Sequence, residues 1–165
     1  MNGSPANPTD YPHHVRIRIY GGESGTQFIG YCSGSIILCS WILTSGPCTP
    51  TFIPFPNMLN YVIEAGIDAS GQPQQTARVP ASNTFRHPQN SDPFDNNLSL
   101  LKLPTPFVMT DRVNLIKLAP VSWSGPDTLN GVKGTGSGFI SNSGPNSNNL
   151  QSVDLTVIPQ TDCNT

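Results

Sequence analysis

The run Cys32-Ser33-Gly34-Ser35-Ile36-Ile37-Leu38-Cys39-Ser40-Trp41-Ile42-Leu43-Thr44-Ser45-Gly46-Pro47-Cys48 limits what this chain can fold into more than any other segment. Phe28 to Leu38 and Trp41 to Thr44 are rich in β-branched and aromatic residues. They are separated by the short Cys39-Ser40 step and end at Ser45-Gly46-Pro47, so they read as a hairpin-like strand pair running into a tight turn. Four cysteines occur in the chain, Cys32, Cys39, Cys48 and Cys163. They allow three pairings, and sequence alone does not choose among them.

The rest of the chain fits an all-β reading. Glycine and proline make up 32 of the 165 residues and punctuate short apolar segments, while long helical periodicity is absent. Val15, Ile17 and Ile19 alternate with Arg16 and Arg18, which predicts a strand with one buried and one wet face. Further strands are predicted at Tyr61 to Gly66, Gln75 to Pro80, Leu98 to Leu103 and Val113 to Leu118. Together these give about six strands and the connections needed for one closed antiparallel barrel. A polar connection, Ala119 to Asn130, leads to two more strands, Val132 to Ile140 and Leu150 to Pro159, separated by a Ser/Asn/Gly loop.

Composition excludes several function classes. The net charge is −2 and charged residues are 11% of the chain, with the cations scattered apart from Arg16 and Arg18. Nucleic acids and anionic membranes require a basic patch, so neither is an expected partner. No apolar run approaches the ~20 residues of a membrane span. Met1 leads directly into Asn2-Gly3-Ser4 with no signal peptide between them, so the opening reads as a mature or shortened amino terminus.

The Cys32 to Cys48 run resembles, residue for residue in spacing, the C-G-G-S-L-I-x-x-x-W-V-L-T-A-A-H-C of chymotrypsin-like (peptidase S1) serine proteases. Met1-Asn2-Gly3 resembles the start of the mature protease, and Asp10 to Val15 the F-P-x-x-V that follows. Thr135-Gly136-Ser137-Gly138 resembles the T-G-W-G that opens the second barrel, with Ser137 in place of tryptophan. Leu150 to Ile158 resembles the next strand. The resemblance implies two side-by-side barrels: residues 1–120 as the N-terminal segment and a complete first barrel, and 121–165 as a linker and the first two strands of a second. It pairs Cys32 with Cys48, leaves Cys39 without a family partner, and matches Cys163 to a cysteine whose partner lies further along. It also implies a secreted, extracellular protein.

The resemblance places the catalytic machinery at positions where the residue types cannot perform it. The family's general-base histidine falls on Pro47, which has no titratable side chain. The family's N-D-I-A-L-L-K-L falls on Asn96-Asn97-Leu98-Ser99-Leu100-Leu101-Lys102-Leu103, so Asn97 holds the aspartate position. An amide there carries no charge to stabilise an imidazolium, and exchanging aspartate for asparagine in a Ser-His-Asp triad lowers turnover by about 10⁴. Asp95 precedes Asn97 by one strand period, about 6 to 7 Å along the strand, with no histidine to serve. No G-D-S-G-G occurs in the chain. The resemblance therefore implies a non-catalytic homologue of a kind common in arthropods, binding proteases, protease substrates or inhibitors. The alternatives are a fragment of a serine-type endopeptidase and a non-functional truncated product.

The remaining candidates have structural readings. His13 and His14 are neighbours on a predicted strand and point to opposite faces, so they cannot share a metal; both are expected at the surface or half-buried. His87 precedes Pro88 in a loop segment, a structural position. No cofactor or metal is expected. Asn2-Gly3-Ser4 is a glycosylation sequon, whereas Asn97-Leu98-Ser99 sits at the mouth of a buried strand and is not expected to be modified. Phe52, Phe55 and Met58 form an apolar loop expected to pack on its own barrel.

Overall fold

The computed structural model describes residues 3–22, 24–49, 59–90, 95–122, 129–139 and 150–163. The Asn2 sequon, the Phe52 to Met58 loop, the loop of residues 141–149 and the Cys163 side chain lie outside the described residues. The elements in chain order are β1 (Ser4–Pro5), β2 (His14–Gly21), β3 (Gln27–Leu38), β4 (Trp41–Thr44), β5 (Asn60–Ala65), β6 (Gln75–Pro80), β7 (Thr84–Arg86), β8 (Ser99–Lys102), β9 (Lys133–Phe139), β10 (Leu150–Thr156) and the one-turn helix α1 (Gln160–Cys163).

Seven strands form one antiparallel sheet in the order β6-β5-β2-β3-β4-β8-β7. Its two outer strands are consecutive in the chain: β6 pairs with β5, the 3-10 turn Ala81–Asn83 bends the chain, and β7 pairs with β8. The sheet thus curls round on itself through a bent sixth strand, not through an extra ladder. Side chains from β2, β3, β4, β5, β6 and β8 meet in one core. Ile17, Ile36, Ile42, Ile63, Val79 and Leu101 are fully buried there. Each contributes about 1.5–3 kcal/mol of apolar burial.

The expected strand at Val113 to Leu118 is not one. Val113 is fully buried, but the segment makes isolated bonds to two neighbours, Asn114 N–H to the Pro12 carbonyl and Ile116 N–H to that of Ile36. A strand needs a ladder on one partner, and this segment straddles two. β7, three residues long, supplies the missing pairing instead.

The second sheet is small, with the order β1-β10-β9. The amino-terminal segment, assigned by sequence to the first barrel, pairs with this sheet: Ser4 lies opposite Ser152 and Pro5 opposite Gln151.

The face of β2 predicted to be wet is partly covered. Arg16 is 9% exposed and lies opposite Glu64 in the β2–β5 register. Its Nε donates to Glu64 Oε2 at 2.7 Å, and Arg18 reaches Glu64 Oε1 at 3.4 Å. Phe139 of β9 lies over the Arg16 guanidinium, 5.4 Å from charge to ring centre, so the second sheet shields the pair. Removing one partner of a buried ion pair leaves a desolvated charge. We therefore expect Glu64→Ala to destabilise the fold by about 3–5 kcal/mol, and the joint replacement Arg16→Met, Glu64→Leu to lie much closer to the parent. Urea unfolding of the parent and the two variants measures this.

Candidate functional site

Pro47 sits in the middle of a 3-10 turn, Gly46–Cys48, that follows β4. The turn closes with Cys48 N–H on the Ser45 carbonyl at 3.1 Å and Thr49 N–H on the Gly46 carbonyl at 3.0 Å. Neither bond needs an N–H at position 47, and the fixed φ of proline suits a first turn, so Pro47 fits without loss. Its side chain is exposed. A disulfide joins Cys48 to Cys32 on β3, with Cα atoms 6.0 Å apart. Cross-linking residues 16 apart in sequence contributes on the order of 3 kcal/mol in the chain-entropy account. Ser45 Oγ donates to Cys48 Sγ at 3.1 Å, since a bonded sulfur has no proton to give.

Asn97 reaches the same turn from the other side of the chain. Its Oδ1 accepts the Gly46 N–H at 2.7 Å. The approach is close: a Cβ on residue 46 would stand 2.8 Å from Asn90 Oδ1 and 3.1 Å from Asn97 Oδ1, so these side-chain ends would have to shift. Asn97 is aimed by an unusual backbone. Asn96 has φ 48°, a left-handed conformation that asparagine tolerates, and its carbonyl accepts the Leu98 N–H at 2.7 Å. β8 begins only at Ser99, so Asp95 and Asn97 do not share a strand period, contrary to the expectation from their spacing. Behind the turn, Thr49 Oγ1 donates to the Gly46 carbonyl at 3.1 Å, which leaves Ser99 Oγ to donate to Thr49 at 2.6 Å.

The structure thus brings Pro47 and Asn97 together, on residues 46–48 and on the approach to β8. The bond that joins them, Gly46 N–H to Asn97 Oδ1, is between neutral groups, with the Arg86 guanidinium beside it. Asn90 Oδ1 accepts from Arg86 Nε, and Asn90 Nδ2 donates to the Asp95 carbonyl at 2.6 Å. This arrangement can hold a turn. Neither the proline nor the amide at its centre accepts and returns a proton near neutral pH. Gly46, Arg86 and Asn90 were missed in sequence because the approach of Arg86 and Asn90 to Gly46 joins distant segments.

A second polar cluster lies at the seam of the two sheets. His14, expected at the surface or half-buried, is buried because Phe139 and Ser137 of β9 cover it: the rings are 5.2 Å apart and Ser137 Oγ lies 3.3 Å from Nδ1. His13, Ser33, Leu43 and Thr135 line a shallow cleft of about 310 Å³ beside it. Burial, and secondarily the charge of His13, lowers the His14 pKa to about 4. Among the described residues no three His, Cys, Asp or Glu side chains converge as metal ligands, and no helix is long and apolar enough to cross a membrane.

A curled antiparallel sheet, a small second sheet against it and a disulfide-anchored turn facing the approach to β8 define a chymotrypsin-like scaffold. The family model described as Trypsin matches residues 1–165, and the chain belongs to that family, the peptidase S1 serine proteases. Serine protease 1 of Drosophila melanogaster is 30% identical over 165 residues, covering 98% of this chain and 57% of the relative. Chymotrypsin-like elastase family member 3A of Homo sapiens is 25% identical over 166 residues, covering 99% and 59%. The chain therefore spans less than two thirds of the length of these curated relatives. Two solved structures share the fold: HL collagenase, with TM-score 0.76 at 22% identity over 99% of this chain and 65% of that one, and the scabies mite inactivated protease paralogue S-D1, with TM-score 0.69 at 19% identity over the same shares, 99% and 65%.

Two outcomes follow from this geometry. Asn97→Ala leaves the Gly46 N–H without its acceptor and is expected to lower stability by about 1–3 kcal/mol, whereas Asn97→Asp, which keeps an acceptor oxygen, is expected to stay near the parent in denaturant unfolding. His14 behaves as any buried base: the unfolded chain takes a proton below about 6.5, and the folded chain refuses it until about 4. Its contribution is whole above pH 6.5, falls as pH drops towards 4 and is then lost, a change of about 3 kcal/mol at most. The thermal midpoint should fall over that window in the parent, and the His14 component of the fall should vanish in His14→Gln.

Proposed function

We propose that this chain is a non-catalytic serine protease homologue with a binding or regulatory role in extracellular proteolysis. The observation that carries the reading is the neutral turn. Proline stands at the position that the sequence resemblance assigns to the general base, and beside it Asn97 spends its carbonyl on the Gly46 N–H at 2.7 Å. Neither residue supplies what acyl transfer needs from a base and its orienting carboxylate. On this reading the family triad positions are Pro47 and Asn97, and residues 1–120 and 121–165 correspond to the first barrel and the start of a second. Proteases, their substrates or their inhibitors are the partner class, and the Cys32–Cys48 disulfide suits an oxidising, extracellular setting. The inactivated scabies mite paralogue has the same fold, a likeness that speaks for the scaffold alone.

The family match over residues 1–165 also supports a second reading, in which the chain is a portion of a serine endopeptidase. Labelling by a fluorophosphonate serine reagent and turnover of a mixed peptide substrate pool separate the two. We expect neither with this chain. Pro47→His combined with Asn97→Asp should also remain without turnover. Hydrolysis by the parent, abolished by the serine reagent, would overturn the non-catalytic reading.

A further inference from the structure

Among the described residues, the outer strand β6 of the large sheet has no further strand on its free side. Ala81 donates its N–H to the Leu59 carbonyl at 3.0 Å, and bonded pairs alternate along an antiparallel ladder. Gln75, Ala77 and Val79 therefore turn their peptide groups towards β5, while Thr76 and Arg78 turn theirs the other way. Beyond that edge lies a groove of about 560 Å³, walled on its far side by Pro104 to Val108. The wall cannot zip onto β6, because Pro104 and Pro106 have no N–H, and the Phe107 N–H is committed to the Cys39 carbonyl at 2.9 Å.

Where edge and wall do meet, the Gln75 side chain does what a neighbouring strand would do. Its Nε2 donates to the Val108 carbonyl at 2.6 Å and its Oε1 accepts the Val108 N–H at 2.9 Å. The Arg78 side chain is exposed and makes no hydrogen bond or ion pair among the described residues. Val108, 69% exposed, adds an apolar wall.

We propose that this groove docks an extended acidic peptide segment of a partner protein. The peptide adds as a strand to the free edge at Thr76 and Arg78, sets a carboxylate on the Arg78 guanidinium, and lays its apolar side chains on Pro104, Pro106 and Val108. Main-chain bonds supply the affinity in this mode and the side-chain contacts supply the selection. A cation on an edge strand also disfavours indiscriminate pairing, so an acidic strand is the one admitted. The proposal stands on the β6 edge and is independent of the reading of Pro47 and Asn97.

The test titrates the isotope-labelled whole chain with a blocked peptide of alternating valine and glutamate, and with its valine–lysine counterpart. Expected are amide shifts centred on Thr76 to Arg78 and Val108, and slowed hydrogen exchange at the Thr76 and Arg78 N–H, with the acidic peptide alone. Arg78→Glu should weaken that binding by about tenfold or more and admit the lysine peptide. Backbone N-methylation of the peptide should abolish it. Equal binding of both peptides, shifts away from β6, or no shifts would overturn the proposal. So would edge protection that rises with protein concentration without peptide, because the occupant would then be a second copy of the chain.

Discussion

Arg16 must keep its partner. It is 9% exposed on the face of β2 opposite the core, and Glu64, directly across the β2–β5 ladder, is 5% exposed. A buried charge without its counterion is among the most destabilising features a fold can carry, so the pair fixes more than itself. A slip of one residue between β2 and β5 would turn the isoleucines of β2 outwards and drive Arg16 and Arg18 into the core. It also gives the second sheet a place to sit, since Phe139 covers the guanidinium and His14 packs against the same ring. The core sets the barrel, and this pair sets which face the second sheet meets.

Against that charged seam, the turn at Gly46–Cys48 is held by neutral groups. A disulfide anchors one end, the proline fixes the middle, and an amide oxygen satisfies the N–H at the start. The Gly46 N–H requires an acceptor at position 97, and an amide oxygen serves as well as a carboxylate oxygen. It does not require a charge, and stabilising a cation does. The demands of structure and of proton transfer on residue 97 are therefore separable, and the described contacts answer the structural one.

Much of the fold was legible in the sequence because strand signals are local. Alternation marked β2, and the β-branched run Phe28 to Leu38 and the step at Cys39-Ser40 marked β3 and β4 to within a residue. Val113 to Leu118 misled because its apolar content serves packing: Val113 fills the core while the backbone straddles two partners. β7 escaped because three residues beside a proline give no periodic signal. Positions 47 and 97 were singled out by the resemblance, but their adjacency rests on a bond between residues 51 apart in sequence, which no local pattern reports. One sign of the buried pair was in reach: Glu64 is the lone acid inside Tyr61-Val62-Ile63-Glu64-Ala65, and a charge in an otherwise apolar strand calls for a partner.

The prolines act in opposite senses on the two sides of the molecule, for the same reason. At position 47 the missing N–H falls in a turn whose bonds run from Cys48 and Thr49, so nothing is left unpaired and the turn is stiffened. At positions 104 and 106, across the groove from the β6 edge, there is no N–H to give, so a ladder cannot form and a groove remains. One residue type thus removes a donor where none is needed and withholds it where one would close the sheet. The first effect keeps the Gly46–Cys48 turn rigid without a charged residue at its centre. The second leaves one side of the β6 backbone without a neighbouring strand among the described residues.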